Sequence, residues 1–361
     1  MKMTELTEII RSDIQALTAY HVADLPQDFI KLDAMESPFH PFGRKEGLRE
    51  EWLALMAEAP IHLYPNPATS GLQQALREAF SIPECAEIAL GNGSDELIQL
   101  MTMLVAKPGA VMLAVEPSFV MYKHNAALYG MEYVGVPLND DFTLNLEAVL
   151  AAVRQYQPAL IFLAYPNNPT GLRFERKQVE AVIAAAKGIV VVDEAYGAFS
   201  DDSFLPQAGK IENLVVMRTI SKIGFAGLRI GYAAGCPAIM RELAKIVPPY
   251  NMNQLSLATA KFAMKHADVI EETVVFLKAE RERMQLEIAK LNRVKAFPSA
   301  TNFITVRVPD ALALFEKLKE HKILIKKLHG SHPLLDECVR ITVGSREAND
   351  AVLTVMKGLY A

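Results

Sequence analysis

The chain has 361 residues, 51% of them hydrophobic and 22% charged; this balance is typical of a folded globular chain and excludes long disorder. Its formal charge of −5 gives no global attraction for nucleic acid or for an anionic membrane. Neither is expected as a partner, and a phosphate-bearing ligand has to be held by local groups. The length exceeds what one small core can bury and predicts two domains, or one large domain with an appendage.

Cys85, Cys236 and Cys338 are widely spaced and odd in number, which fits reduced thiols in a cytoplasmic protein and gives no metal-ligand set. The opening segment, MKMTELTEIIRSDIQAL, reads as an amphipathic helix and lacks a signal-peptide core. No apolar run approaches the ~20 residues needed to span a bilayer. Residues 1–45 as a whole read as an N-terminal arm, the helix being followed by the Pro-rich stretch MESPFHPFG. GLREEWLALMAEA and SGLQQALREAF then carry helical spacing on either side of the loop HLYPNPATSG.

From residue 87 onward, short apolar runs alternate with helical stretches. EIALGN, AVMLAVEP, EYVGVPL, ALIFLAYP, GIVVVDEA, NLVVMRT and RIGYAAG are predicted strands. Several are almost uninterrupted Val, Ile, Leu and Ala, the composition of strands covered on both faces. Strands alternating with helices predict a largely parallel sheet. Near residue 245 the pattern changes to QLSLATAKFAMKHA, a long charged helix over about 269–291, then NFITVRV, a helix, ILIKKL, CVRITVG and a last helix. The division this predicts is 1–45 arm, 46–245 large α/β domain and 246–361 smaller α+β domain.

Four segments carry candidate chemistry. In SKIGFAGLRIGY, a lone Lys222 reads as a surface lysine at a strand end; Thr219, Ser221 and Arg229 around it make a different case. Their hydroxyls and guanidinium can surround a phosphate, while the Lys222 amine can form an imine with an aldehyde. Asp193 ends the apolar strand of VVVDEAYGAF, where a carboxylate is costly without a cationic partner. A protonated pyridine nitrogen is such a partner, and the acid opposite it is what a pyridoxal electron sink requires; a helix cap or a metal ligand is the plainer alternative. Tyr196 is placed to reach the ring hydroxyl, and Glu194 is read as structural. YPNNPTG follows another strand, where α/β sheets place ligands, and Asn168 can donate to the ring's phenolic oxygen; alone it is equally an ordinary turn. GNGSDELIQLM runs from a strand into a helix starting near Ser94 or Asp95, whose first-turn N–H groups suit a phosphate, although either residue is also an ordinary N-cap. The Asp95 carboxylate would repel a phosphate, so its backbone N–H is the expected contact. Phe119 in EPSFVMY can stack on a pyridine ring or be a core aromatic, and the Tyr64 hydroxyl can reach a phosphate from a second subunit.

Nine segments in this order, KLDAMESPF, LYPNP, GNGSDE, EPSFVMY, PNNPTG, VVVDEAYGAF, RTISKIGFAGLRIGY, PSATNFITVR and HPLLDECVRITVG, resemble the fold-type-I aminotransferases, and within them the histidinol-phosphate aminotransferases. The likeness covers nearly the whole chain. It implies an α/β architecture with a mostly parallel mixed sheet covered by helices, a smaller α+β C-terminal domain, and pyridoxal 5′-phosphate as cofactor. Residue by residue, it implies that Lys222 carries the cofactor, Asp193 pairs with its ring nitrogen, and Tyr196 and Asn168 bind the ring oxygen. Phe119 stands at the stacking position. Ser94 and Asp95 (by backbone), Thr219, Ser221 and Arg229 would hold the phosphate, with Tyr64 contributed across a homodimer interface. Arg340 matches the Arg that binds the anionic end of the substrate, and Tyr20 a tyrosine near the phosphate.

This sequence departs from the family pattern at Phe119 (often Tyr), at Lys326 in the substrate site (Arg in many relatives), at Leu63 (commonly Arg), and at Met35 and Ser37 (Asn). The implied reaction is ping-pong transamination of L-histidinol phosphate with 2-oxoglutarate, a step of histidine synthesis. An aromatic amino-acid aminotransferase and a phosphoamino-acid decarboxylase share the same cofactor residues and stand as alternatives. A cofactor-sensing regulator would need a DNA-binding extension, for which no segment is read here.

Overall fold

The computed structural model describes residues 9–17, 26, 28–66 and 70–361. Its centre is a seven-stranded sheet ordered β2-β8-β7-β6-β5-β3-β4. The strands are β2 (Glu87–Asn92), β3 (Val111–Glu116), β4 (Glu132–Pro137), β5 (Leu160–Ala164), β6 (Ile189–Asp193), β7 (Leu214–Thr219) and β8 (Ile230–Gly235). The run from β4 through β3, β5 and β6 to β7 is parallel, and β8 is antiparallel to both β7 and β2.

Both faces of this sheet are dry. Along β5, Ile161 and Leu163 join one core cluster, while Leu160, Phe162 and Ala164 join another. That two-sided burial is why the strand sequences read as continuous apolar runs. Helices Gly93–Val105 and Met121–Leu128 cover the second face; Leu146–Tyr156 and Arg176–Ala185 cover the first. Strand alternation then sorts the functional side chains. Asp193 shares the parity of Val191, and Thr219 that of Met217, so both belong to the second face, at the carboxyl ends of parallel strands.

A smaller sheet, ordered β1-β11-β12-β10-β9, packs beside it. Its strands are β1 (Ile30–Leu32), β9 (Lys295–Ala296), β10 (Phe303–Arg307), β11 (Ile323–Lys327) and β12 (Cys338–Thr342). β1 runs parallel to β11 and the remaining pairs are antiparallel. The segment read as an arm therefore supplies an edge strand to this sheet, and residues 33–35 continue from it toward the main sheet. β1 and β9 are too short to stand out from their surroundings in the sequence. Of the expected N-terminal amphipathic helix, residues 1–8 lie outside the described residues, and the described part holds only a four-residue helix, Ser12–Gln15. The long charged helix spans Ala267–Ile288.

Candidate active site

The sheet brings the carboxyl ends of β5, β6 and β7 together with the end of β2 and the start of β8, where Asn92 pairs with Ile230 and Thr219 with Gly231. One pocket opens there, and Ser94, Asp95, Phe119, Asn168, Asp193, Tyr196, Thr219, Ser221, Lys222 and Arg229 all line it. Ten of the residues selected by sequence thus converge on a single cavity. Arg340, from β12, reaches the same place through Asn168.

Asp193 is 3% exposed. Its Oδ2 accepts the Tyr122 hydroxyl at 2.7 Å and its Oδ1 accepts the Ala195 backbone N–H at 3.0 Å. Neither donor is charged. Burial raises its carboxyl to about 6 against the lowering effect of those two bonds, with Asp95 and Glu194 pushing the same way as burial. The next residue, Glu194, points to the opposite face and is fully paired. Arg218 grips its Oε2 through Nε at 2.9 Å and Nη2 at 2.7 Å, and Ser203 adds a hydroxyl at 2.8 Å. Two adjacent carboxylates thus have different surroundings: Glu194 is neutralised by the chain itself and Asp193 is not.

Lys222 lies in the short 3-10 turn Ser221–Ile223 after β7, with its Nζ 3.3 Å from the Ala34 carbonyl and 5.9 Å from the centre of the Tyr196 ring. Burial first, and the Arg340 charge second, lower its amine to about 8. A useful fraction of neutral amine is therefore present near neutral pH. Tyr196 is buried against Phe303, edge to face with ring centres 5.2 Å apart, and burial pushes its phenol above the ordinary value. The phenol stays a proton donor.

Asn168 has its orientation set by chemistry. Arg340 can only donate, and its Nη1 stands 2.6 Å from Asn168 Oδ1, so the amide NH2 is left as the donor for a ligand. Arg340 also donates through Nη2 to the Asp33 carbonyl at 2.9 Å. The turn itself is anchored by Asn167, whose Nδ2 bonds the Pro117 carbonyl at 3.0 Å and Thr170 Oγ1 at 2.9 Å. Thr305, paired with Arg340 across the small sheet, donates to the Pro169 carbonyl.

The phosphate-type donors form a cradle where helix Gly93–Val105 begins. That helix starts one residue ahead of the predicted Ser94, is preceded by Asn92, and has no side-chain cap. Asp95 is no N-cap; its carboxylate meets Arg229 Nη2 at 3.1 Å. The guanidinium, which also lies against Gly93 at the helix start, offsets the Asp95 charge and weakens the objection to an anion there. Thr219 Oγ1 lies 2.8 Å from Ser221 Oγ and 2.9 Å from the Ile230 carbonyl. Close approach of β8 to the helix depends on Gly231, where a Cβ would sit 2.6 Å from the Gly93 carbonyl carbon and 2.7 Å from Ser94 N.

A family model for class I and II aminotransferases matches residues 28–356. A histidinol-phosphate aminotransferase of Neisseria meningitidis is 68% identical over 358 residues, covering 99% of this chain and 98% of the relative. One from Chromobacterium violaceum is 53% identical over 360 residues, covering 100% of both chains. The chain belongs to the class I and II aminotransferases, among the histidinol-phosphate aminotransferases. Among solved structures, the histidinol-phosphate aminotransferase of Sinorhizobium meliloti in complex with pyridoxal 5′-phosphate superposes with a TM-score of 0.84 at 27% identity, covering 97% of this chain and 98% of that one.

The residues of this aminotransferase fit pyridoxal 5′-phosphate. Asp193, a buried carboxylate with only neutral donors, calls for a cation that the bound group would bring. A buried amine with a lowered pKa faces the same cavity, and an uncapped helix start with two hydroxyls and a guanidinium lies at one end. Of the remaining sequence-selected residues, two stand outside this pocket and one is not described. Tyr20 lies outside the described residues. Tyr64 is 82% exposed and stacks on Tyr250, with ring centres 4.9 Å apart. Lys326 pairs with Arg340 in strand register but is exposed and does not line the pocket.

Five pocket residues were not selected by sequence: Ala164, Pro166 and Ala195, which adjoin selected motifs, and Tyr122 and Met35. Tyr122 sat unremarked in the segment read for Phe119, because nothing local ties it to an acid 71 positions away. Met35, noted only as a departure from the family pattern, lines the pocket in a left-handed conformation with φ of 56°. Thr342 Oγ1 takes its N–H at 3.1 Å and Asn302 holds its carbonyl at 3.0 Å.

Proposed function

We propose that the chain transaminates L-histidinol phosphate with 2-oxoglutarate, yielding imidazole-acetol phosphate and L-glutamate, by a ping-pong route on pyridoxal 5′-phosphate. The observation that carries this is the meeting, in one pocket, of a buried amine of lowered pKa, a buried acid lacking a cationic partner, and the Asn168–Arg340 pair. The bound cofactor supplies an electron sink for the electrons left at the substrate's Cα.

The chain's own groups do the rest. Lys222 would hold the cofactor, and its Nζ, lowered to about 8 by burial and the Arg340 charge, is suited to take the proton from the substrate's Cα and return it at C4′. Asp193 would pair with the ring nitrogen and keep its proton in place. Tyr196 and the Asn168 NH2 donate to the ring oxygen, and Phe119 covers the ring. Backbone N–H groups of Ser94 and Asp95, with Thr219, Ser221 and Arg229, hold the cofactor phosphate.

Arg340 receives the anionic end of each substrate, with Tyr20 near the phosphate; Lys326, outside the pocket, would act on the substrate only as a more distant charge. Tyr64 completes the phosphate site of a partner copy in a homodimer. Residues 46–245 would bind the cofactor, with Arg340 from residues 246–361 and Ala34 and Met35 from the arm beside the same pocket. Free Cys85, Cys236 and Cys338 fit a reducing cytoplasm. Among the described residues no helix is long and apolar enough to cross a membrane.

The test is single-turnover loss of the bound-cofactor absorbance after adding L-histidinol phosphate, L-glutamate or L-phenylalanine. Fast loss with the first two and far slower loss with phenylalanine is expected. Equal rates with phenylalanine would replace this reading by a broad aromatic aminotransferase. No response to any of them would favour the decarboxylase.

A further inference from the structure

We propose that Tyr122 is a positioning residue for Asp193, holding the carboxylate in the orientation and the ionised form that the cofactor's ring nitrogen requires. This rests on the functional reading above and assigns to it a residue outside the sequence-selected set.

Among the described residues each oxygen of Asp193 accepts one hydrogen bond: the Tyr122 hydroxyl at 2.7 Å on Oδ2, and the Ala195 N–H at 3.0 Å on Oδ1. Together they fix the plane of the carboxylate. The Ala195 bond is two residues away in the same chain segment and moves with Asp193. Tyr122 comes from a separate helix, Met121–Leu128, and so references the acid to the rest of the large sheet.

Tyr122 is itself immobilised. It is 0% exposed, stacks on Phe162 with ring centres 4.5 Å apart and planes 7° off parallel, and meets Phe119 edge to face at 5.8 Å. Phe162 and Asp193 share one face of the neighbouring strands β5 and β6, where Ala164 pairs with Asp193. The phenol ring therefore lies along the wall that ends at the acid. Burial and the neighbouring carboxylate push its proton affinity well above the ordinary phenol value, so it remains a donor at any working pH. No cation contacts Asp193 among the described residues, and Asp95 and Glu194 both disfavour its charge. A fixed O–H dipole is then the largest influence opposing burial. Tyr122 also backs Phe119, linking the ring-covering residue and the acid through one side chain.

Tyr122→Phe keeps the ring and removes the donor. In the full-length chain, affinity for pyridoxal 5′-phosphate is expected to fall about tenfold or more, the worth of a hydrogen bond to a charged group. The acid-side pH at which binding weakens should move upward by about one unit. Affinity for 1-deazapyridoxal 5′-phosphate, which has carbon in place of the ring nitrogen, should stay within about twofold of the unmodified chain's. In a cycle with Asp193→Asn, the two losses should be strongly non-additive.

Unchanged affinity for the natural cofactor in Tyr122→Phe overturns the inference. So does an equal loss for both cofactors, which would mean that Tyr122 serves packing alone. If the unmodified chain fails to bind the natural cofactor, the functional reading falls and this inference with it. Tight binding by the unmodified chain together with an indifferent Tyr122→Phe removes only the inference.

Discussion

Asp193 and Lys222 share a pocket, and burial pushes each toward its neutral form: the acid up to about 6 and the amine down to about 8. For the amine, that shift helps the proposed proton transfer. For the acid it is a cost that the cofactor's ring cation removes. The sign of that cost can be tested in the cofactor-free protein. A carboxyl raised in the folded state binds protons more tightly there than in the unfolded chain. Its contribution to stability is therefore fully present below the unfolded value of 3.8 and is lost as pH rises through about 6. Asp193→Asn should accordingly stabilise the cofactor-free protein above pH 6 by on the order of 1–2 kcal/mol, less than the shift alone implies because the amide serves only one of the two donors well. Below about pH 4 the gain should vanish. Thermal melts across this range check it, and a variant equally or less stable at pH 7 would show that Asp193 carries no burial cost. The same variant should bind pyridoxal 5′-phosphate more weakly, which separates the acid's cost in folding from its use in binding.

At the scale of elements, the cradle depends on how closely β8 passes the start of helix Gly93–Val105. Gly231→Ala would put a methyl 2.6 Å from the Gly93 carbonyl carbon and 2.7 Å from Ser94 N. Both are backbone atoms, so the helix start has to shift. The expected result is a melting temperature lowered by several degrees, at about 1–3 kcal/mol of overpacking, together with weaker binding of the cofactor and of inorganic phosphate. Unchanged phosphate affinity with a lowered melting point would place the anion elsewhere. The strands around this cradle were legible because burial on both faces removes polar residues. EIALGN became β2 residue for residue, and the others fell within a residue or two of the predicted bounds. β1 and β9 were not legible: at three and two residues their pairing is decided by partners far along the chain. The same division runs through the site. Asp193 ends a strand and Lys222 and Asn168 follow strand ends, so motif and position marked all three as candidates, and they share the pocket. Tyr122 and Met35 reach the pocket by tertiary contact, and no local pattern marks them.

For the whole molecule, the arm ties the small sheet to the pocket. From β1 the chain passes Asp33 and Ala34, whose carbonyls take Arg340 Nη2 and Lys222 Nζ, and then Met35, pinned by Thr342 and Asn302. The two cations on which the proposed chemistry depends are thus held by one short backbone segment. Farther along, the chain exposes Ile61 (72%), Leu63 (57%), Tyr64 (82%) and Tyr250 (55%), with Tyr64 stacked on Tyr250. Large apolar side chains gathered in this way mark an interaction surface, and the proposed homodimer would cover it while delivering Tyr64 to the other subunit's phosphate cradle. Mixed dimers test that delivery directly. Lys222→Ala alone should have no transaminase activity, and Tyr64→Ala alone should be impaired through weaker cofactor binding. In a heterodimer of the two, the Tyr64→Ala subunit keeps its own Lys222 and receives the partner's intact Tyr64, so one of its two sites is native. Random assortment should restore about one quarter of native specific activity at limiting cofactor, well above either parent. A mixture no more active than the mean of its parents would assign Tyr64 to its own chain, and a monomeric mass with full activity in sedimentation would remove the shared site altogether.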